Sequence, residues 1–495
     1  MGDRGGIAAK RTCRHCDGRF RPTLAETGAN ENLTLGKDAA MTSFRRFTAA
    51  ATVSLAALLV ASAASASSFA IRSGQGAEGL GMAYAGAAAG GIGMSSMAWN
   101  PATITMFPGR HSNWNFTYLY ASGDYQPTSP TTVMTPRGPM PIQAVGGSPL
   151  GTGNIGGDGG FIPASYSAWQ LTDRFWIGLT TGAPFGLRSK PDNQVNAAQA
   201  FGRSAKVQTV NVAPTIGYKV NDWLSIGAAM QIQWFNASLK QANGIAANAA
   251  PIIIEGDTID FGYRLGVTLT PFDGTTIGLG YRSSVRQTLD GTMRVSTGPR
   301  PTAAFPVKAN LNLPDSVVFG VSQVINDQWQ AHLGVEWTNW SRFRNIPVVS
   351  QLNGAPVTSL NFQYDDSWYF SAGAEYKYNR DLTLRAGIAY ELSAVNDYNR
   401  QIFISDNDRL WLSAGASYQL TEKLKIDVGY TYIHVNNAKV NYTGNHPQQV
   451  VNPALRAISY TAEAEPFVHI VSAGLTYRWD NPVETVPVRP VVRKN

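Results

Sequence analysis

The 495-residue chain carries only 15% charged residues, against roughly 25% in typical soluble domains. Its net charge of +7 is spread along the sequence, with no basic cluster interleaved with aromatics, so nothing points to a nucleic-acid partner. With 49 Gly, 12 Trp and 20 Tyr the composition suits a β-rich protein whose aromatics sit at an interface.

Cys13 and Cys16 form "CRHC" near the start. Such a pair can be half a zinc site or a redox couple, but no second Cys/His pair lies at a useful spacing, so no metal or other cofactor is expected. The absence of cysteine elsewhere fits an exported protein that does not rely on disulfides. From Met41 the sequence reads as a secretory signal: Arg45 and Arg46, an apolar run over Phe47–Ala61, then small residues ending at Ala66. An uncleaved anchor is the alternative, but the run falls short of the ~20 residues a spanning helix needs. Residues 1–40 are then an upstream extension that is not native to the gene product, and the mature chain starts at Ser67.

Residues 67–109 are small, apolar and glycine-rich, and include "GLGMAYAG" (Gly79–Gly86) and "WNPATITMF" (Trp99–Phe107). Closely spaced glycines with no preceding strand are not a dinucleotide fingerprint. From Arg110 a different pattern takes over, of segments about ten residues long that alternate apolar or aromatic with small or polar. "NWNFTYLYA" sets Trp114, Phe116, Tyr118 and Tyr120 against Asn113, Asn115 and Thr117. "DFGYRLGVTL" sets Phe261, Tyr263 and Leu265 against Asp260, Arg264 and Thr268. Period two means strand. An apolar face backed by one carrying Arg and Asp fits lipid outside and a polar lumen inside.

Six short turns, at 171–173, 220–222, 271–274, 325–327, 378–380 and 420–422, alternate with seven long connections, giving fourteen strands. The expected fold is therefore all-β: a 14-stranded antiparallel transmembrane barrel over 110–479, plugged by the 67–109 segment. The last strand ends through Ser472, Gly474, Tyr477 and Trp479, like the terminal assembly signal of outer-membrane barrels. Residues 480–495 form a Pro/Val-rich periplasmic tail. No GxSxG, HExxH, Walker or EF-hand motif is present, so no enzyme is expected. His332 and Glu336 share a strand face but stand roughly 13 Å apart, too far for direct acid–base partnership.

Several motifs resemble, in order, the long-chain fatty-acid transporter (FadL) family. They are the two hatch segments above, "GAPFGL" (Gly182–Leu187), "NVAPTIGYKVNDWLSIGAA" (Asn211–Ala228), "GYRSSV" (Gly280–Val285), "LPDS" (Leu313–Ser316), "VEWTNWSRF" (Val335–Phe343) and "DNDRLWLSAGASY" (Asp406–Tyr418). The resemblance implies a monomeric, hatch-plugged barrel of the Gram-negative outer membrane, folded there by the barrel assembly machinery and surrounded by outer-membrane lipid. It implies passive uptake of long-chain fatty acids or other hydrophobic molecules, bound in an apolar lumen pocket and released sideways where the third strand kinks.

Gly182, Ala183, Pro184, Phe185 and Gly186 would form that kink. Asn100, Pro101 and Ala102 would form a hatch bend facing it, and Phe69 the aromatic near the mature N-terminus that reaches the pocket. Many members carry an acidic pair midway through the hatch, where this chain reads "GIGMSS" (Gly91–Ser96), a departure that bears on gating. Arg264, Arg282 and Arg385 fall on inward faces by alternation and are the candidates for a ligand carboxylate, although lumen arginines also pair structurally with Asp260, Glu336, Glu375 or Asp427. Aromatic-hydrocarbon uptake and a structural or adhesive barrel are the competing readings.

Overall fold

The computed structural model describes residues 72, 76–155, 159–191, 196–296, 301–397, 400, 402, 404–445 and 457–480, with backbone alone at 301, 302 and 445. The "CRHC" pair, the signal segment, Phe69 and the tail beyond Asp480 lie outside these residues. Fourteen antiparallel wall strands follow in chain order: β1 Arg110–Pro127, β2 Gly160–Thr172, β3 Phe175–Gly182 with Gly186–Ser189, β4 Ser204–Lys219, β5 Leu224–Ala242, β6 Pro251–Phe272, and β7 Thr275–Arg282 with Val285–Ser296. Then come β8 Pro301–Leu313 with Ser316–Val324, β9 Trp329–Thr338, β10 Ser367–Lys377, β11 Leu382–Leu392, β12 Arg409–Thr421, β13 Leu424–Val435 with Ala438–Asn445, and β14 Ala457–Arg478. β1 pairs β14 from His111↔Arg478 to Pro127↔Ala462, which closes the barrel. Several strands run beyond the expected lengths into the long connections: β5 and β6 still pair at Ala242↔Pro251.

The alternation decides which way each side chain points. On β1, Phe116, Tyr118 and Tyr120 are exposed on the outside while Asn113, Asn115 and Thr117 are buried inside. On β6, Phe261, Tyr263 and Leu265 face out and Arg264 and Thr268 face in. Exposed apolar side chains around the whole wall are tolerable only against lipid.

The segment Gly76–Phe107 fills the lumen. It is built from a short helix, α1 (Ala77–Leu80), and three 3-10 turns at Ala87–Ala89, Gly93–Ala98 and Pro101–Met106. It can sit flush because inward wall positions at its level are glycines. Gly217, Gly227, Gly266 and Gly280 follow one another across β4, β5, β6 and β7 in direct register. A Cβ on Gly266 would lie 1.8 Å from Asn100 Oδ1, and one on Gly227 would lie 2.4 Å from the Ala102 amide nitrogen. Gly278 and Gly320 meet Ala88, and Gly387 meets Met82, in the same way. This girdle is a seat for plug backbone.

Candidate functional site

Asn100 ties the plug to the wall. Its side-chain amide donates to Ala88 O (2.6 Å) and Val267 O (2.9 Å), and its Oδ1 caps the next turn by accepting from the Ala102 amide (3.0 Å). Pro101 sits at the first helical position, where a missing N–H costs nothing. Asn100, Pro101 and Ala102 therefore face β5 and β6. Toward the third-strand break, the preceding Trp99 shares a small cavity with Pro184, while Met97 and Ile104 pack against Gly178 lower on the same strand.

The third strand breaks where the sequence suggests. Pairing of β2 with β3 stops at Ser165↔Thr181. β3 then takes four steps, Gly182 to Gly186, against three on β4, Asn211 to Gln208, which is a one-residue bulge. Ala183 and Phe185 are buried, and Thr209 pins the break, accepting from the Phe185 amide and donating back to its carbonyl. After the bulge Gly186–Ser189 pairs with β4, while Gly160–Ala164 of β2 pairs with β1, so no ladder joins β2 to β3 there. Pro163 on that stretch fits an open edge, since it has no amide to donate.

Above the plug lies a cavity of about 570 Å³, within the roughly 300–1,000 Å³ usual for small-molecule sites. Its apolar wall includes Phe235, Leu289, Leu311, Phe343, Ile346 and Phe362. An aromatic series, Phe343–Trp340 (5.9 Å) and Trp340–Phe185 (6.1 Å), leads from this cavity to the β3 break. Of these side chains, Trp340, Phe343 and Phe362 lie outside the alternating strands and are invisible to period-two reasoning. The available signal was apolar residues on the inward face of the strands' outer halves, together with the Trp and Phe of "VEWTNWSRF".

At the foot of that series two arginines meet. Arg264 and Arg282 stand directly opposite each other on β6 and β7, and line the same cavity as Trp99 and Pro184. Arg264 is held by neutral groups only: Gln231 Oε1 (3.2 Å), Asn211 Oδ1 (3.1 Å) and Thr180 Oγ1 (3.4 Å). Arg282 lies over the Phe185 ring, 5.0 Å from its centroid, and its buried Nε has no hydrogen-bond partner. The nearby carboxylates are engaged elsewhere. Glu336 is paired with Arg72 at 2.6 Å, and Glu391 with Arg72 and Arg409. Among the described residues no carboxylate lies within ion-pair distance of either Arg264 or Arg282.

The third candidate, Arg385, is placed differently. It pairs with Glu375 (3.1 Å) and with Glu78 of the plug (3.6 Å), and Lys425 bonds Glu78 and pairs with Asp427 at 3.4 Å. His332 does not meet Glu336. It meets Ser322 at 2.9 Å and Glu375 at 3.8 Å. Asp260, expected as an arginine partner, accepts from Thr258 and from the Thr288 amide.

A closed wall with an apolar exterior, a seated plug and an apolar internal cavity defines a plugged transport barrel of the Gram-negative outer membrane. The chain belongs to the outer membrane protein transport protein family (OMPP1/FadL/TodX), matched over residues 57–480. Outer membrane protein P1 of Haemophilus influenzae is 27% identical over 449 residues, 83% of this chain and 95% of that protein. The long-chain fatty acid transport protein of Escherichia coli K12 is 26% identical over 74% of this chain and 87% of its own. Among solved structures, a Pseudomonas aeruginosa FadL homologue superposes with TM-score 0.73 at 23% identity, over 84% of this chain and 100% of that one. The Ralstonia pickettii toluene transporter TbuX superposes at 0.58 and 18% identity, over 82% and 99%. The chain is thus an outer-membrane transport protein for hydrophobic compounds.

Proposed function

We propose that the transported compounds are long-chain fatty acids, taken up passively. The acyl chain would lie in the 570 Å³ cavity and the carboxylate on Arg282 and Arg264. The observation that carries this reading is a cross-strand arginine pair with no carboxylate at ion-pair distance among the described residues, the two acids of its cavity, Glu336 and Glu391, being paired with Arg72 and Arg409. Like charges directly opposite on a sheet are destabilising, and an anionic headgroup between them removes the conflict. A neutral hydrocarbon would leave it in place. Shielding the tail matters energetically, because each CH₂ exposed to water costs about 0.8 kcal/mol.

Release sideways through the unpaired β2–β3 stretch completes the path, with Pro184 and Gly186 preventing the ladder from closing. Phe69 lies outside the described residues, and its proposed role as the aromatic that reaches the pocket rests on the family resemblance alone. The test is uptake of labelled oleate and labelled toluene by cells with and without the protein. Oleate uptake well above background, abolished when Pro184 and Gly186 are replaced by Val, is the expected result. Uptake of toluene alone would transfer the assignment to aromatic hydrocarbons, and uptake of neither would leave an adhesive or structural barrel.

A further inference from the structure

The outer face of the wall beside the β3 break carries a second, polar cleft of about 830 Å³, which shares wall residues such as Lys206, Ser238 and Glu255 with the lining of the inner cavity. It is built from three adjacent cross-strand rows, of which the one nearest the long loops carries Lys240 and Arg294 on either side of Ile253. Arg188, Lys206, Ser238, Glu255 and Thr292 stand opposite one another across β3 to β7. The next row, toward the short turns, runs Gln208, Asn236, Asp257, Asp290 and Lys308 across β4 to β8. The intervening residues Ala205, Val207, Phe235, Leu289 and Met293 are buried inside, so these rows point out of the barrel.

One row further toward the short turns the outward residues become Val210, Trp234 and Ile259, which begin the lipid-facing band. Alternate residues on a strand are about 7 Å apart, so the polar rows stand one headgroup's depth outside that band, on the side of the long loops. Arg188, Lys190, Lys206, Lys240 and Arg294 bring five positive charges to the cleft, against Glu255, Asp257 and Asp290. Two of the three acids are engaged: Glu255 by Arg294 at 2.5 Å and Asp290 by Lys308 at 4.0 Å. Lys190, Lys206 and Lys240 are exposed and make no ion pair among the described residues. A cationic concavity at headgroup level, continuous with an apolar strand face below, has the charge and shape of a site for a phosphorylated lipid.

We propose that this cleft holds a phosphorylated glycolipid headgroup of the outer leaflet, with Arg188, Lys206 and Lys240 taking its phosphates and its acyl chains lying on the Val210–Trp234–Ile259 face. The test is native mass spectrometry of the full-length barrel in mild detergent, incubated with bis-phosphorylated lipid A, with the same lipid enzymatically dephosphorylated, or with the phosphorylated lipid plus 10-fold excess inorganic phosphate. The expected result is retention of the phosphorylated lipid alone, insensitive to free phosphate. Retention should fall at least roughly tenfold in the R188Q/K206Q/K240Q variant, since each surface cation is worth about fivefold in binding. Folding of the variant is checked by heat-modifiable gel mobility; should it fail, Lys206→Gln alone is measured, with about a fivefold loss expected. Equal retention of the dephosphorylated lipid, retention unchanged by the substitutions, or full displacement by inorganic phosphate would each overturn the proposal.

Discussion

Two groups of buried charges occupy the same lumen and obey the same alternation, yet they are opposites. In the lower group Glu78, Glu375 and Asp427 face Arg385 and Lys425, and every charge has an opposite neighbour. In the upper group Arg264 and Arg282 face each other, held by neutral amides and an aromatic ring, while the carboxylates of their cavity, Glu336 and Glu391, are paired with Arg72 and Arg409. A buried pair that satisfies itself holds structure together; breaking it leaves an uncompensated charge. A buried like-charge pair with no carboxylate at ion-pair distance is destabilising by itself, and a counter-charge from outside would relieve it. On the proposed function, the difference would separate plug anchoring from ligand binding among residues that look alike.

The largest effect is expected in the lower group. Glu78→Gln removes the only plug carboxylate among the described residues that faces Lys425 and Arg385, at a cost of about 3 kcal/mol, the lower end for a broken buried pair. The plug should loosen, and single-barrel conductance in a planar bilayer should rise; unchanged conductance would mean the plug is anchored elsewhere. A seat mutation sharpens the same point without touching charge. Gly266→Ala puts a methyl against Asn100 Oδ1 and should destabilise plug docking by about 1–3 kcal/mol, as overpacking does, with a smaller conductance increase.

The upper group should answer in the other direction. Arg282→Gln relieves a like-charge contact, so thermal stability should hold or rise slightly and conductance stay unchanged. Labelled oleate uptake should nonetheless drop roughly tenfold, the scale of one lost charge-assisted hydrogen bond, with toluene uptake untouched. A variant that loses stability and both uptakes together would show Arg282 to be structural, and the contrast between the two groups would collapse.

Much of the fold was open to inspection in one dimension. Alternation at β1 and β6, and short turns alternating with long connections, define fourteen strands, because a strand's two faces meet two solvents and each residue must suit one of them. The break at Gly182–Gly186 was likewise legible, since proline cannot donate to a ladder and glycine tolerates the bulge. Arg264, Arg282 and Arg385 could be assigned to the inside by the same parity.

Parity says nothing about neighbours, however. Which inward residue stands opposite which is a matter of register, which a short turn fixes within its own hairpin but which, between strands joined by long connections and against the plug, is settled only by closing the whole barrel. Only the tertiary structure could put Arg385 beside Glu78, 307 positions away. It also turned Asn100 toward Gly266 and left Trp99 to face Pro184, and it ranged single glycines from separate strands into one seat. The physical reason is range. Side-chain direction is a local property of the pleat, whereas electrostatic partnership and close packing depend on residues brought together from hundreds of positions away.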